Sequence, residues 1–283
     1  MADDRPRVAT LPPPADGPVP GCPFCPGSEH ETPPERWALR DHGPADGPGW
    51  RVRAVPNRYP VLVPPEGAHE VVVNSDRHAA AFWDLTPEEA SWAARGWWER
   101  ESALAGEHHR TFVFLNQGAQ AGASLEHTHT QLVGLPVDPP RLAAREAAFL
   151  DGACPLCADI ADPGDRIVAR EDGLVAWCPQ VPPLTAVVRI APAAHAPRWD
   201  RPSAEALGRL LQRVMRAAAT TAGTDAANLW IHQGRSGGPR DVHWHLEAIP
   251  RIGTLAGLEL GAGVYGLVLD PAEYAGRLRA ALA

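Results

Sequence analysis

His127, His129 and Gln131 stand at alternate positions in His127-Thr128-His129-Thr130-Gln131, between apolar runs at 112–115 and 132–136. Alternation with period two signals a strand and places residues two apart on one face, about 7 Å from each other. A neutral imidazole there can attack phosphorus, provided one ring nitrogen is held by an acceptor so that the other keeps its lone pair. Gln131 can donate to a phosphoryl oxygen but cannot transfer a proton, which favours group transfer over hydrolysis. Just upstream, the loop from Gly118 through Gly122 to Ser124 offers backbone amides to an anion. The plainer reading makes all three side chains metal ligands or core hydrogen-bonding groups.

Four of the five cysteines form two C-x-x-C pairs, Cys22/Cys25 and Cys154/Cys157. In a reducing compartment such pairs are metal or redox centres rather than structural disulfides. Each pair is followed by two histidines in corresponding places, which yields two four-ligand sets. The first is Cys22, Cys25, His78 and His127; the second is Cys154, Cys157, His195 and His243. Two sulfurs and two imidazole nitrogens are a tetrahedral zinc set. One C-x-x-C alone leaves a redox pair open, whereas two sets with histidines in matching positions favour metal. Zinc is therefore expected, one ion in the first set and a possible second in the later one. Cys178 has no counterpart and is expected to be a buried thiol.

The elements that must position these groups are written twice. Trp83-Asp84, Gln117-Gly118 and His127-Thr128-His129 recur 116 residues later as Trp199-Asp200, Gln233-Gly234 and His243-Trp244-His245, and His195 follows His78 by 117. Collinear recurrence indicates duplication. In the first half, strands are expected around 50–55, 59–63 and 70–74. A helix starts at Thr86-Pro87-Glu88-Glu89, an N-cap with Pro at the first helical position and Glu to close a capping box, and runs to about Leu104. Leu207, Leu210, Leu211 and Val214 mark the apolar face of its counterpart. A connecting helix is expected over 139–150. The fold class that follows is α+β, two tandem domains, each a mainly antiparallel sheet with one long helix. Their bounds are 21–140, carrying the chemistry, and 141–283, after an extended arm at 1–20.

The 283 residues carry a net charge of −8, which argues against nucleic acid or an anionic membrane as partner. All 26 basic residues are arginine, so no mechanism can use a catalytic lysine. No apolar run approaches a membrane span and no apolar leader opens the chain, which makes a cytoplasmic location the default. A Gly-rich phosphate loop of the dinucleotide or P-loop type is absent.

The segments Cys22-Pro-Phe-Cys-Pro-Gly, Pro56-Asn57-Arg58-Tyr59-Pro60, Gly67-Ala-His-Glu-Val71 and 116–131 resemble the galactose-1-phosphate uridylyltransferase branch of the histidine-triad superfamily, as do 258–263 and 270–275. The resemblance implies a paired-domain fold, a homodimer, and ping-pong transfer of a nucleotide from a nucleotide sugar to a sugar phosphate. His129 would be the nucleophile, oriented by the backbone carbonyl of His127. Gln131 and Ser124 would contact phosphoryl oxygens, while Asn57 and Asn116 would lie at the nucleotide or phosphate site. The same strand pattern serves enzymes acting on ADP-sugars or dinucleoside polyphosphates, and a non-catalytic zinc-stabilised nucleotide-binding protein is the alternative of another class. Two departures stand out. Only Arg5 and Arg7 fall in the short arm, and the second half places Arg240 and Glu247 where the first has Ser124 and Gln131. A carboxylate repels phosphate, so the second half is expected to be structural, with His245 beside the metal.

Overall fold

The computed structural model describes residues 17–150, 153–238, 242–253 and 256–283. Most of the expected arm and Arg240 thus lie outside the described residues.

Ten strands form one antiparallel sheet. The first half supplies β1 (Trp37–Arg40), β2 (Trp50–Pro56), β3 (Ala68–Val73), β4 (Arg110–Gln117) and β5 (His129–Leu135). The second supplies β6 (Ile167–Glu171), β7 (Leu174–Trp177), β8 (Val188–Pro192), β9 (Ala227–His232) and β10 (His245–Pro250). Their order is β1-β2-β3-β5-β4-β9-β10-β8-β7-β6, so each half repeats one strand order inward from its own edge. The halves meet where β4 pairs with β9, from Val113–Ile231 to Gln117–Ala227.

Among the described residues six α-helices accompany the sheet: α1 (Pro87–Glu107), α2 (Pro140–Leu150), α3 (Pro155–Ala161), α4 (Arg201–Ala222), α5 (Gly257–Ala262) and α6 (Pro271–Leu282). At the start of α1, Thr86 Oγ1 accepts from the Glu89 amide at 3.2 Å and Glu89 Oε2 from the Thr86 amide at 2.7 Å, the expected capping box. The helix continues one turn past Leu104. Leu207, Leu210, Leu211 and Val214 of α4 are all buried. Helices α1 and α4 pack on each other and on one sheet face, over Val72, Val113, Leu132, Leu229 and Leu246. A Cβ at Gly208 would run into the backbone carbonyl of Ala90, so the two helices cross at a point where no side chain fits. Gly208→Val is expected to destabilise the fold by at least about 2 kcal/mol, lowering the thermal midpoint by roughly 5 °C or more. An unchanged melting curve would contradict this crossing.

One expected strand is absent. Residues 59–63 form bends and irregular chain, with Tyr59 80% and Val61 72% exposed. Pro60, Pro64 and Pro65 lack the N–H groups a ladder requires.

Candidate active site

The two sheet faces carry different chemistry. Thr128 and Thr130 point toward the helices, where Asn74 takes the Trp97 indole N–H at 2.8 Å and the Thr130 hydroxyl at 3.2 Å, and donates to Thr128 Oγ1 at 3.2 Å. His129 and Gln131 lie opposite Val73 and Val71 on the face turned away from α1 and α4. That face is capped by the Cys22–Cys25 knuckle, whose Phe24 ring lies 5.2 Å from that of His129. Strand β5 begins at His129, so His127 sits just before the strand and turns into the knuckle.

There the four donors of the first set converge, all buried and within 4.8 Å of one another. Cys25 Sγ is 3.3 Å from His78 Nδ1, and Cys22 Sγ is 3.5 Å from His127 Nδ1. A tetrahedron with ordinary zinc–sulfur and zinc–nitrogen bonds has edges of about 3.5 Å, so the set fits a zinc-sized cation. The His127 Nε2–H donates to the Ser75 carbonyl at 2.9 Å, leaving Nδ1 with its lone pair for the metal. Burial lowers the His127 pKa to about 4, so the ring is a neutral ligand at physiological pH. Burial also pushes the Cys22 thiol up to about 11, the direction a bound cation reverses.

His129 is oriented from the same residue. Its Nδ1–H donates to the His127 carbonyl at 2.8 Å, which leaves Nε2 with a free lone pair. Burial lowers its pKa below the ordinary imidazole value, so the neutral, nucleophilic form prevails at neutral pH. The β4–β5 ladder ends at the Phe114–Gln131 pair, and the next same-face residues on the two strands, Asn116 and His129, flank its end. Asn116 Oδ1 is fixed across the seam by Asn228 Nδ2 at 2.9 Å. Gly122 turns the following loop at φ +85°, and a Cβ there would come within 4.0 Å of Asn116 Nδ2. Ser124 is exposed on this loop. The amides of Ala121, Gly122 and Ala123 close onto Gly118 and Ala119 within the loop, so those three are not available to an anion. Asn57 lies across β3, with Nδ2 3.1 Å from His69 Nε2, and that nitrogen is 3.0 Å from Gln131 Oε1.

The second set also converges: Cys157 Sγ is 3.5 Å from His195 Nδ1 and 3.4 Å from His243 Nδ1. His243 Nε2 meets the Pro192 carbonyl at 3.0 Å, as His127 meets Ser75. This set is more open to solvent, with His195 exposed. His245 repeats the orientation of His129, Nδ1–H to the His243 carbonyl at 3.1 Å. Its Nε2, however, accepts from Arg145 of α2 at 2.9 Å, so the lone pair that would attack phosphorus is occupied. Glu247 lies 3.1 Å from Arg145 and 2.9 Å from Arg189, with Trp230 Nε1 donating to it at 3.1 Å. His232 is also buried beside His245 and Glu247. The sequence pattern placed His245 and Glu247 here but not Arg145, Arg189 or His232. The signal for His232 is the duplication, since it stands 116 residues after Asn116.

No helix among the described residues is long and apolar enough to cross a membrane. Residues 57–139 match the galactose-1-phosphate uridyl transferase N-terminal domain. ADP-glucose phosphorylase of Arabidopsis thaliana is 29% identical over 294 aligned residues, covering 91% of this chain and 81% of that protein. Galactose-1-phosphate uridylyltransferase of Streptomyces lividans is 34% identical over 140 residues, 49% of this chain and 35% of that one. The crystal structure of an Arabidopsis thaliana ADP-glucose phosphorylase with bound ADP-glucose superposes with a TM-score of 0.81 at 28% identity, over 94% of this chain and 91% of that one. Over most of its length the chain is thus similar to nucleotidyltransferase-type proteins, and its residues 57–139 match the galactose-1-phosphate uridyl transferase N-terminal domain.

Proposed function

We propose that the chain transfers a nucleoside monophosphate from a nucleotide sugar to a phosphate-bearing acceptor through a covalent nucleotidyl-His129. The observation that carries this reading is the 2.8 Å bond from His129 Nδ1–H to the His127 carbonyl, which frees Nε2 on a buried neutral ring. In the first step, Nε2 attacks the α-phosphorus, a P–N bond forms, and the P–O bond to the sugar 1-phosphate breaks. The leaving phosphate keeps the electron pair and departs as a stable anion, so it needs no proton from the protein. The imidazolium of the intermediate is stabilised by the His127 carbonyl facing Nδ1–H. In the second step, an acceptor phosphate oxygen attacks phosphorus, the P–N bond breaks, and His129 is restored. Gln131 donates to phosphoryl oxygens in both steps, while Asn57, Asn116, Gly122 and Ser124 line the donor site.

Zinc, held by Cys22, Cys25, His78 and His127, supplies neutralisation of the two thiolates and a rigid base for the strand. The second set is read as a further zinc site of structural purpose, with the halves at 21–140 and 141–283 as duplicated units. Apolar side chains exposed at Tyr59, Val61, Leu258 and Leu260 accord with a homodimer.

The preferred donor is UDP-glucose and the preferred acceptor a hexose 1-phosphate such as galactose 1-phosphate. ADP-glucose is the second reading, favoured by the greater span of the match to ADP-glucose phosphorylase. Incubation with UDP-glucose or ADP-glucose alone, followed by intact mass, is expected to add one UMP or one AMP per chain. The mass increment identifies the base. No increment with either donor would overturn the function.

A further inference from the structure

His69 lies on β3 with its ring buried on the face turned away from α1 and α4, two residues before Val71, the cross-strand partner of Gln131. Its Nδ1 is 3.2 Å from the backbone nitrogen of Val61, and its Nε2 is 3.0 Å from Gln131 Oε1 and 3.1 Å from Asn57 Nδ2. A backbone N–H is always a donor and cannot be turned round. Nδ1 must therefore accept, and in a neutral ring the single proton is on Nε2. Burial lowers the His69 pKa, which keeps the ring neutral. The other tautomer would set two N–H groups against each other at Val61. With the proton on Nε2, the ring donates to Gln131 Oε1, and the Gln131 NH2 group is left pointing elsewhere. Asn57 Oδ1 accepts from the Tyr59 amide at 2.8 Å, so its NH2 group faces the protonated Nε2 at 3.1 Å as a second donor without a hydrogen bond, and Gln131 Oε1 is the acceptor that the Nε2–H meets. One backbone donor, at Val61, thus sets the direction of a polar relay that ends on the Gln131 amide.

This matters because a carboxamide has nearly the same shape in its two flips but opposite polarity. A flipped Gln131 would present its carbonyl oxygen to a phosphoryl oxygen and repel it. We propose that His69 is a positioning residue, whose Nε2–H holds the Gln131 carboxamide with its NH2 group toward the phosphoryl group transferred to His129. The inference rests on the assignment of Gln131 as phosphoryl donor given above.

The test is single-turnover formation of the nucleotidyl adduct on the zinc-loaded full chain, using UDP-glucose and ADP-glucose as donors. His69→Phe is expected to slow adduct formation by roughly 10- to 100-fold, somewhat less than loss of a whole oxyanion donor, with the donor concentration for half-maximal rate changed less than about threefold. His69→Gln, whose own NH2 can reach Gln131 Oε1, is expected to recover most of that rate. The double variant His69→Phe/Gln131→Ala is expected to be no slower than Gln131→Ala alone, because the two residues act as one unit. A wild-type rate in His69→Phe, or single effects that multiply in the double variant, would overturn the positioning role while leaving the function intact. Where His69→Phe does not fold, His69→Met and His69→Gln give the same contrast at similar length, and equal rates for those two overturn the role. No adduct on the wild-type chain with either donor overturns the function, and this inference with it.

Discussion

His129→Ala is expected to abolish the nucleotidyl adduct and to slow nucleotide exchange by roughly 10⁴-fold or more, the scale of removing a covalent nucleophile. The two halves supply an internal control for this result. His245 shares the orientation of His129 through its own backbone carbonyl, yet its free nitrogen is bonded to Arg145 and the adjacent Glu247 is ion-paired with two arginines. His245→Ala is therefore expected to leave adduct formation within about threefold of wild type, since it is remote from the reacting atoms. Intact mass of the two variants side by side separates the readings. An adduct that survives in His129→Ala and vanishes in His245→Ala would move the chemistry to the second half.

The second large effect concerns metal. Cys25→Ser is expected to lower bound zinc by one ion per chain and to slow adduct formation by about 10- to 100-fold, the range seen when a metal's supporting groups are lost. It should also lower the thermal midpoint, because metal binding energy is folding energy in a site of this kind. The cause is geometric. His127 is both the expected ligand and the residue whose carbonyl orients His129, so a loosened centre loosens the nucleophile. Cys157→Ser, in the more exposed second centre, is expected to cost one zinc and some stability while adduct formation stays near wild type. Zinc analysis, melting curves and single-turnover rates on both variants make the comparison. Equal kinetic losses in the two would contradict the division of labour between the halves.

Much of this site was legible in the sequence because it is written in local patterns. The alternation of His127, His129 and Gln131, the two C-x-x-C knuckles and the Thr86 capping box are each set by near neighbours in the chain. The duplication then joined residues about a hundred positions apart, so both four-ligand sets were named together and converge as expected. What escaped depends on distant pairing. The β4–β9 ladder, which merges both halves into one sheet, leaves no periodic trace in either strand. Arg145 closes the second site from α2, a helix between the repeats with no counterpart among the described residues of the first half. His69 was visible as a residue but not as a partner of Gln131, because its role follows from the tautomer that the Val61 amide imposes. The strand expected at 59–63 failed because apolar content outweighed the prolines within and after it.

The seam between β4 and β9 has a consequence for the second half, whose own chemistry is closed off. An unpaired strand such as β4, with Val113 and Leu115 buried along it, would be a template for addition of any other chain. Paired with β9, that rim is sealed, and Asn116 is held by Asn228 at the mouth of the proposed donor site. On the proposed function, the second half thus guards the rim of the half that carries the chemistry against strand addition.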